Sequence, residues 1–176
     1  MKKTIFTMLA IAMMAGVSNN AMAQNSSMAS NGAKATIIAP IAIFATGMLN
    51  FGVIIKGTGT VSVSPSSERT SDYASFTVTQ LEDIKPASFS LTGEAGYTYS
   101  IVLPEDDTIV LKESGTDTMA VNKFICNSFT DGDIDLDGTI GVEGGDLIHV
   151  GATLTVSDSQ TVGVYNGVFD VTISYN

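Results

Sequence analysis

Apolar and polar side chains alternate along most of this chain, and this alternation restricts its fold more than any other feature. Between residues 148 and 156 every second residue is apolar, namely Ile148, Val150, Ala152, Leu154 and Val156. The same spacing recurs near residues 97–103 and in the last eight residues. Because successive side chains of a β-strand point to opposite faces of its sheet, this spacing predicts strands with one buried face.

Turn-forming residues separate the alternating runs, for example Gly57-Thr58-Gly59 and Ser64-Pro65. No run has the apolar spacing of an amphipathic helix. About ten short, mainly antiparallel strands between such turns predict an all-β protein. A β-sandwich is favoured over a barrel because two facing sheets use this alternation. Pro40 has no N–H to give to a ladder, so its strand is predicted at a sheet edge or at a bend.

The N-terminal residues predict export. Lys2 and Lys3 precede an apolar stretch that ends near Val17, and Ala21-Met22-Ala23 has the small-x-small pattern of a signal-peptidase site. Residues 1–23 are therefore predicted to be a signal peptide, which implies the periplasm, the cell surface or the extracellular space. Residues 24–34 are predicted to be a mobile segment, and residues 35–176 a single domain.

Charge and composition argue against several classes of function. The net charge of −10 opposes binding to nucleic acid, whose backbone is negative. Cys126 is the only cysteine and His149 the only histidine, so an internal disulfide is excluded and catalytic triads lose their main support. No nucleophile elbow or phosphate loop is present. The chain is predicted not to be an enzyme and not to span a membrane.

One acidic segment has the spacing of a weak calcium site. Asp133, Asp135 and Asp137 alternate before Gly138, as at the start of a calcium loop, and Thr139 could add a backbone carbonyl. The carboxylate expected at the twelfth position is missing, since that residue is glycine. The alternative is a solvated acidic loop in which Leu136 points inward.

The order of several segments resembles a known family. They are Pro40–Ile43, Leu49–Gly52, Gly59–Val63, Val150–Val156 and Gly163–Asn176. Together they resemble the secreted bacterial family known as domain of unknown function 4402. More distantly, they are similar to the spore-coat-U-like subunits of archaic chaperone–usher pili, which belong to Gram-negative envelopes.

This resemblance implies an immunoglobulin-like, pilin-like sandwich in which strands are exchanged. In such pilins a periplasmic chaperone pairs with the final strand, and the N-terminal extension of the next subunit later completes the fold. The positions that match the final strand are Phe169, Val171, Ile173 and Tyr175. The run that carries Ile37, Ile41 and Ile43 is either such an inserting segment or the first strand of its own domain.

Two functional hypotheses follow. The first is a structural or adhesive subunit of a fimbria-like assembly, which acts by pairing edge strands with other copies or with a chaperone. The second is a stand-alone extracellular β-sandwich that binds a glycan or Ca²⁺. The absence of Trp weighs against a glycan site, because such sites commonly use aromatic platforms.

Overall fold

The structure is a computed structural model that describes residues 26–72, 84–107, 109–112, 117–128 and 136–176. These ranges contain ten strands and no helix, so they include no helix that could cross a membrane. The strands are β1 (Ala42–Gly47), β2 (Gly59–Val63), β3 (Arg69–Ser71), β4 (Ala87–Thr92), β5 (Thr98–Val102), β6 (Ile109–Lys112), β7 (Thr118–Ser128), β8 (Asp137–Thr139), β9 (Gly145–Val156) and β10 (Thr172–Tyr175). The predicted all-β fold is confirmed, and the signal-peptide prediction lies outside the described residues.

The strands form two antiparallel sheets of unequal size. In the large sheet, β9 pairs with β7 along one edge, while β4 and β2 share its other edge. Beyond these, β1 pairs with β4, β3 with β2 and β6 with β7. The small sheet has the order β10-β5-β8. A seven-stranded sheet therefore faces a three-stranded one, as in an uneven sandwich.

The central strand shows how the alternation produces burial. In β9 the buried set is Asp146, Ile148, Val150, Gly151, Ala152, Leu154 and Val156, whereas Leu147, His149, Thr153 and Thr155 are more exposed. The apolar spacing of this strand therefore predicted its inward face. Asp146 is a buried carboxylate, and it accepts a hydrogen bond of 2.5 Å from the hydroxyl of buried Tyr99 in β5. This bond joins the two sheets through polar atoms that burial would otherwise leave unpaired.

The buried side chains form two clusters. The first includes Tyr99 and Ile101 of the small sheet, packed against large-sheet residues such as Phe89 and Ile148. The second is built on Val61, Val63, Val121, Leu154 and Val156 of the large sheet. Among the described residues, no side chain of the small sheet joins the second cluster. The small sheet thus covers only one part of the large sheet.

The first strand begins later than the alternation predicted. The run that carries Ile37, Ile41 and Ile43 predicts a strand that includes Pro40, but β1 starts at Ala42, after Pro40 and Ile41. Pro40 cannot donate a ladder hydrogen bond, which explains this start. The strand lies at an end of the large sheet, which is one of the two arrangements predicted from Pro40, but Pro40 itself lies outside it. The chain divides into two compact units, Met1–Thr36 and Ile37–Asn176, and all ten strands lie in the second.

The second cluster should contribute strongly to stability even though the small sheet does not cover it. We expect Leu154→Ala to lower the free energy of unfolding by about 2–5 kcal/mol, because Leu154 is 2% exposed and its truncation leaves a cavity. Thr155→Ala, at the exposed neighbouring position of β9, should change it by less than about 0.5 kcal/mol. Urea denaturation of both variants measures the difference. Equal effects would contradict the inward face assigned to β9.

Candidate functional site

The C-terminal run lies at an edge of the small sheet. Its alternating residues Phe169, Val171, Ile173 and Tyr175 are half-buried and pack against the first cluster. The residues between them, Asp170, Thr172, Ser174 and Asn176, are exposed. Only the last part forms a regular strand, since β10 spans Thr172–Tyr175. Among the described strands β10 pairs only with β5, so its outer edge has no strand partner there.

Aromatic contacts hold the start of this run. The ring of Phe169 lies 5.0 Å from that of Phe124, with a tilted geometry. It meets Phe89 edge-on at 6.3 Å. Both distances are within the range of favourable aromatic pairs. Phe169 is therefore anchored to the large sheet, and the chain before it is positioned beside that sheet.

The N-terminal run is divided between two environments. Ile41 and Ile43 are half-buried and pack against the first cluster of their own domain. Ile37 is 96% exposed, and the whole stretch from residue 26 to residue 40 is exposed apart from half-buried Ile38. Of the three isoleucines predicted to act together, the structure brings two into the domain's own core and leaves one outside it.

An apolar groove with a volume of about 760 Å³ opens beside the second cluster. Two largely exposed stretches of chain line it, namely Ala45, Gly47 and Met48 at the end of β1 and residues 161–168 before β10. Its buried lining consists of core residues, namely Phe51, Ala87, Phe89, Val121, Leu154 and Val156. Lys56 is the one charged residue among its described lining residues. The groove therefore reaches the core at the place that the small sheet does not cover.

Apolar side chains stand exposed along the groove. Met48 is 77% exposed, and the exposed fractions of Val162, Val164 and Val168 are 86%, 76% and 88%. All four line the groove. Although residues 157–171 are rich in β-branched residues, they lie outside every strand, with only an isolated bridge at Asn166. Exposed apolar side chains that gather along one groove make it the candidate interaction site of this domain.

Asp117 holds one end of the groove-lining segment. Its carboxylate accepts hydrogen bonds from both the backbone N–H, at 2.7 Å, and the hydroxyl of Thr161. The side chain of Gln160 donates to the backbone carbonyl of Thr118 in β7, at 2.7 Å. The hydroxyl and then the N–H of Thr161 lower the pKa of Asp117 below its ordinary value of 3.8, and Lys56 adds a smaller effect. These contacts attach the start of the segment to β7.

The predicted calcium ligands are only partly within the described residues. Asp133 and Asp135 lie outside them. Asp137 is exposed at the start of β8, where it faces Ser100 across the sheet, and Thr139 is half-buried at the end of this strand. Leu136 is 51% exposed, so the prediction that it points inward is wrong. Calcium binding stays a prediction.

One polar pair was not predicted from the sequence. His149 of β9 lies opposite Ser88 of β4, and its Nδ1 is 3.0 Å from the serine Oγ. The nearest acid on the same strand, Asp146, faces the core, because a three-residue offset places it on the other side of the sheet. The strand register brings Ser88 and His149 together, and no local motif could have shown this.

Cys126, buried in β7, belongs to the first cluster.

A family model matches residues 41–175 of the chain, and its description is "Domain of unknown function (DUF4402)". The chain belongs to this family. The match begins at Ile41, just before β1, and ends at Tyr175, so it covers every strand of the sandwich and the groove. No curated protein and no solved structure matches the chain. The resemblance to DUF4402 proteins is confirmed, whereas the more distant similarity to spore-coat-U-like subunits stays a prediction.

Acid should release the groove-lining segment of this DUF4402 domain from β7. A carboxylate with a lowered pKa stabilises the folded contact above its ordinary pKa, and the contact is lost as pH falls through the lowered value. We therefore expect the protection of the Thr161 amide, that is its exchange rate relative to the rate of an unfolded chain at the same pH, to decrease below pH 3.8, in step with protonation of Asp117. NMR titration of the Asp117 carboxyl with amide exchange at Thr161 measures both.

Asp117→Asn is the matched variant for this titration. It keeps an acceptor oxygen but removes the titration, so Thr161 should exchange faster than in the wild type near neutral pH and show no added acid-dependent step. A wild-type Asp117 that titrates at or above 3.8 would contradict the lowered pKa.

Proposed function

We propose that this chain is an exported, non-enzymatic structural or adhesive subunit that joins other chains by accepting and donating β-strands. The observation that carries the proposal is the apolar groove, whose buried lining consists of four residues of the second core cluster together with Ala87 and Phe89 of the first. A core that stays accessible along a groove gains stability when another apolar segment covers it. Assembly would then supply burial that the subunit lacks.

The groove is suited to an extended peptide. One of its margins is the end of β1, which pairs only with β4 among the described strands. Its other margin is the segment from Thr161 to Val168, which lies outside the strands and precedes the edge strand β10 in the chain. An unpaired strand edge presents backbone N–H and C=O groups, and an added strand can pair with them while its alternate side chains enter apolar pockets. This combination favours a strand over a compact polar ligand.

The chain itself contains a suitable donor segment. Residues 26–40 lie outside every strand and are exposed apart from half-buried Ile38, and Ile37 and Ile38 follow Ala33 and Ala35 near the boundary between the two compact units. Lys34 is the only charged residue from 26 to 41, whereas the whole chain carries a net charge of −10. The net negative charge of a second copy would attract Lys34 at long range, although the groove itself contains the cation Lys56 among its described lining residues. We infer that the partner is another copy of this chain, with a periplasmic chaperone holding the groove before assembly.

Export is part of this proposal. Residues 1–23 have the order of a signal peptide, and a folded subunit that pairs through open edges is suited to assembly outside the cytoplasm. The location is therefore proposed to be the cell surface of a Gram-negative envelope, reached through the periplasm.

A charge placed in the groove should block assembly without unfolding the subunit. Val164 is 76% exposed and lines the groove, whereas Val142 is 94% exposed and lies outside it. We expect Val164→Asp to abolish self-association of the mature chain, since an added strand would bury the new carboxylate without a partner. Val142→Asp should leave the association unchanged. Sedimentation velocity gives the oligomer distribution, and thermal melting checks that both variants fold.

A truncation identifies the donor. The mature chain that begins at Ala39 keeps all ten strands but lacks the exposed segment. We expect it to be monomeric by native mass spectrometry and to regain binding when a peptide of residues 26–41 is added. If the truncated chain assembles like the full mature chain, the N-terminal segment is not the donor. If Val164→Asp assembles normally, the groove is not the acceptor.

A further inference from the structure

Side chains rather than a strand hold Ala39. The backbone N–H of Ala39 donates a hydrogen bond of 3.0 Å to Oε2 of Glu94, in the turn between β4 and β5. The backbone carbonyl of Ala39 accepts one of 3.0 Å from the hydroxyl of Tyr175. Both backbone groups of this exposed residue are therefore engaged by two side chains that are distant in the sequence. No strand reaches this point, because β1 begins only at Ala42.

The hydroxyl of Tyr175 joins three segments of the domain. It donates to Ala39 and also accepts a hydrogen bond of 2.7 Å from the backbone N–H of Glu94. Ala39, Glu94 and Tyr175 thus form a closed ring of three hydrogen bonds, which we name the latch. The ring of Tyr175 also packs edge-on against Tyr97 at 5.8 Å. The latch links the N-terminal segment, the β4–β5 turn and the last strand.

Pro40 makes a contact of this kind necessary, and Gly93 leaves the space that it requires. Pro40 follows Ala39 and has no N–H, so the β1 ladder cannot be extended backward through it. Side chains are therefore the means by which the chain is fixed at this position. Gly93 makes room for the hydroxyl, since a Cβ atom at this residue would lie 2.5 Å from the oxygen of Tyr175. A larger residue at 93 would push the hydroxyl away from Glu94.

We propose that the latch sets the boundary between the donated segment and the domain's own first strand, and that it preorganises the segment for donation. This inference rests on the proposed function. With the latch closed, the residues after Ala39 remain packed on their own domain, and only the residues before Ala39 can be donated to another copy. With the latch open, the first residues of the domain become mobile as well, up to the start of β1.

Opening the latch is expected to weaken the binding of the donor segment to the acceptor groove. A donor segment that is fixed at its root loses less conformational freedom when it binds than one attached through a longer flexible tether. Opening the latch also weakens the packing of half-buried Ile41 against the first cluster. A donor without the latch should therefore bind its acceptor more weakly, although its inserting residues are unchanged.

The test separates the donor from the acceptor. The donor is the mature chain with Val164→Asp, whose own groove is blocked, and the acceptor is the chain that begins at Ala39, which has no segment to give. Binding between them is measured by isothermal titration calorimetry. Tyr175→Phe in the donor removes the hydroxyl and keeps the ring, and Glu94→Ala is a second way to open the latch. Tyr97→Phe is the control, since the ring contact of Tyr97 is retained.

We expect Tyr175→Phe and Glu94→Ala in the donor to weaken binding about tenfold, which corresponds to ~1.4 kcal/mol. Hydrogen exchange of the free donor should be faster at the amide of Ala39 in both variants. Tyr97→Phe should change neither quantity. A loss of binding without faster exchange would not fit a latch and would overturn the inference.

Three other results of these exchange and binding measurements would also overturn the latch or the proposed function. Unchanged exchange at Ala39 would show that the three hydrogen bonds do not hold the chain there. Faster exchange with unchanged or tighter binding would show that the latch does not preorganise the donor. If the donor with its latch intact fails to bind the acceptor, the proposed function itself fails, and that result is visible before any latch variant is made.

Discussion

The unequal size of the two sheets is the constraint on which the rest of this structure depends. Burial of apolar area is the main favourable term in folding, so each inward face of a sandwich requires a cover. Within the described ranges, the three strands of the small sheet cover the first cluster but not the second, four of whose residues line a groove. The domain thus has an ordinary core at one end and an accessible core at the other. The proposed role of the DUF4402 fold follows from this difference.

The sequence predicted the β-strands well in those segments where every second residue is apolar and its side chain is buried. β9 is the clearest case, because a central strand with one inward face produces strict alternation. The C-terminal run has the predicted phase, with Phe169 and Ile173 inward, although only its last part is a regular strand. The start of β1 was predicted too early, since alternation continues through Pro40 while the hydrogen-bond ladder does not.

Other features could not be predicted because they depend on distant segments. The groove exists only when the end of β1 lies near residues 161–168, a relation that no local pattern encodes. The pairing of His149 with Ser88 depends on strand register. The contact between buried Asp146 and Tyr99 depends on how the two sheets face each other. Alternation indicates which face of a strand is apolar, but it does not indicate what covers that face.

The contact between Tyr175 and Ala39 has a consequence for the order of events during folding. The two residues lie 136 positions apart in the sequence, and closing a long loop costs conformational entropy, so this contact forms after the pairings between nearer strands. Until β10 pairs, the edge of β5 that it later occupies has no partner in this sheet. Folding subunits would therefore pass through an interval with an exposed sheet edge, when the risk of aggregation is greatest and a holding factor is most useful.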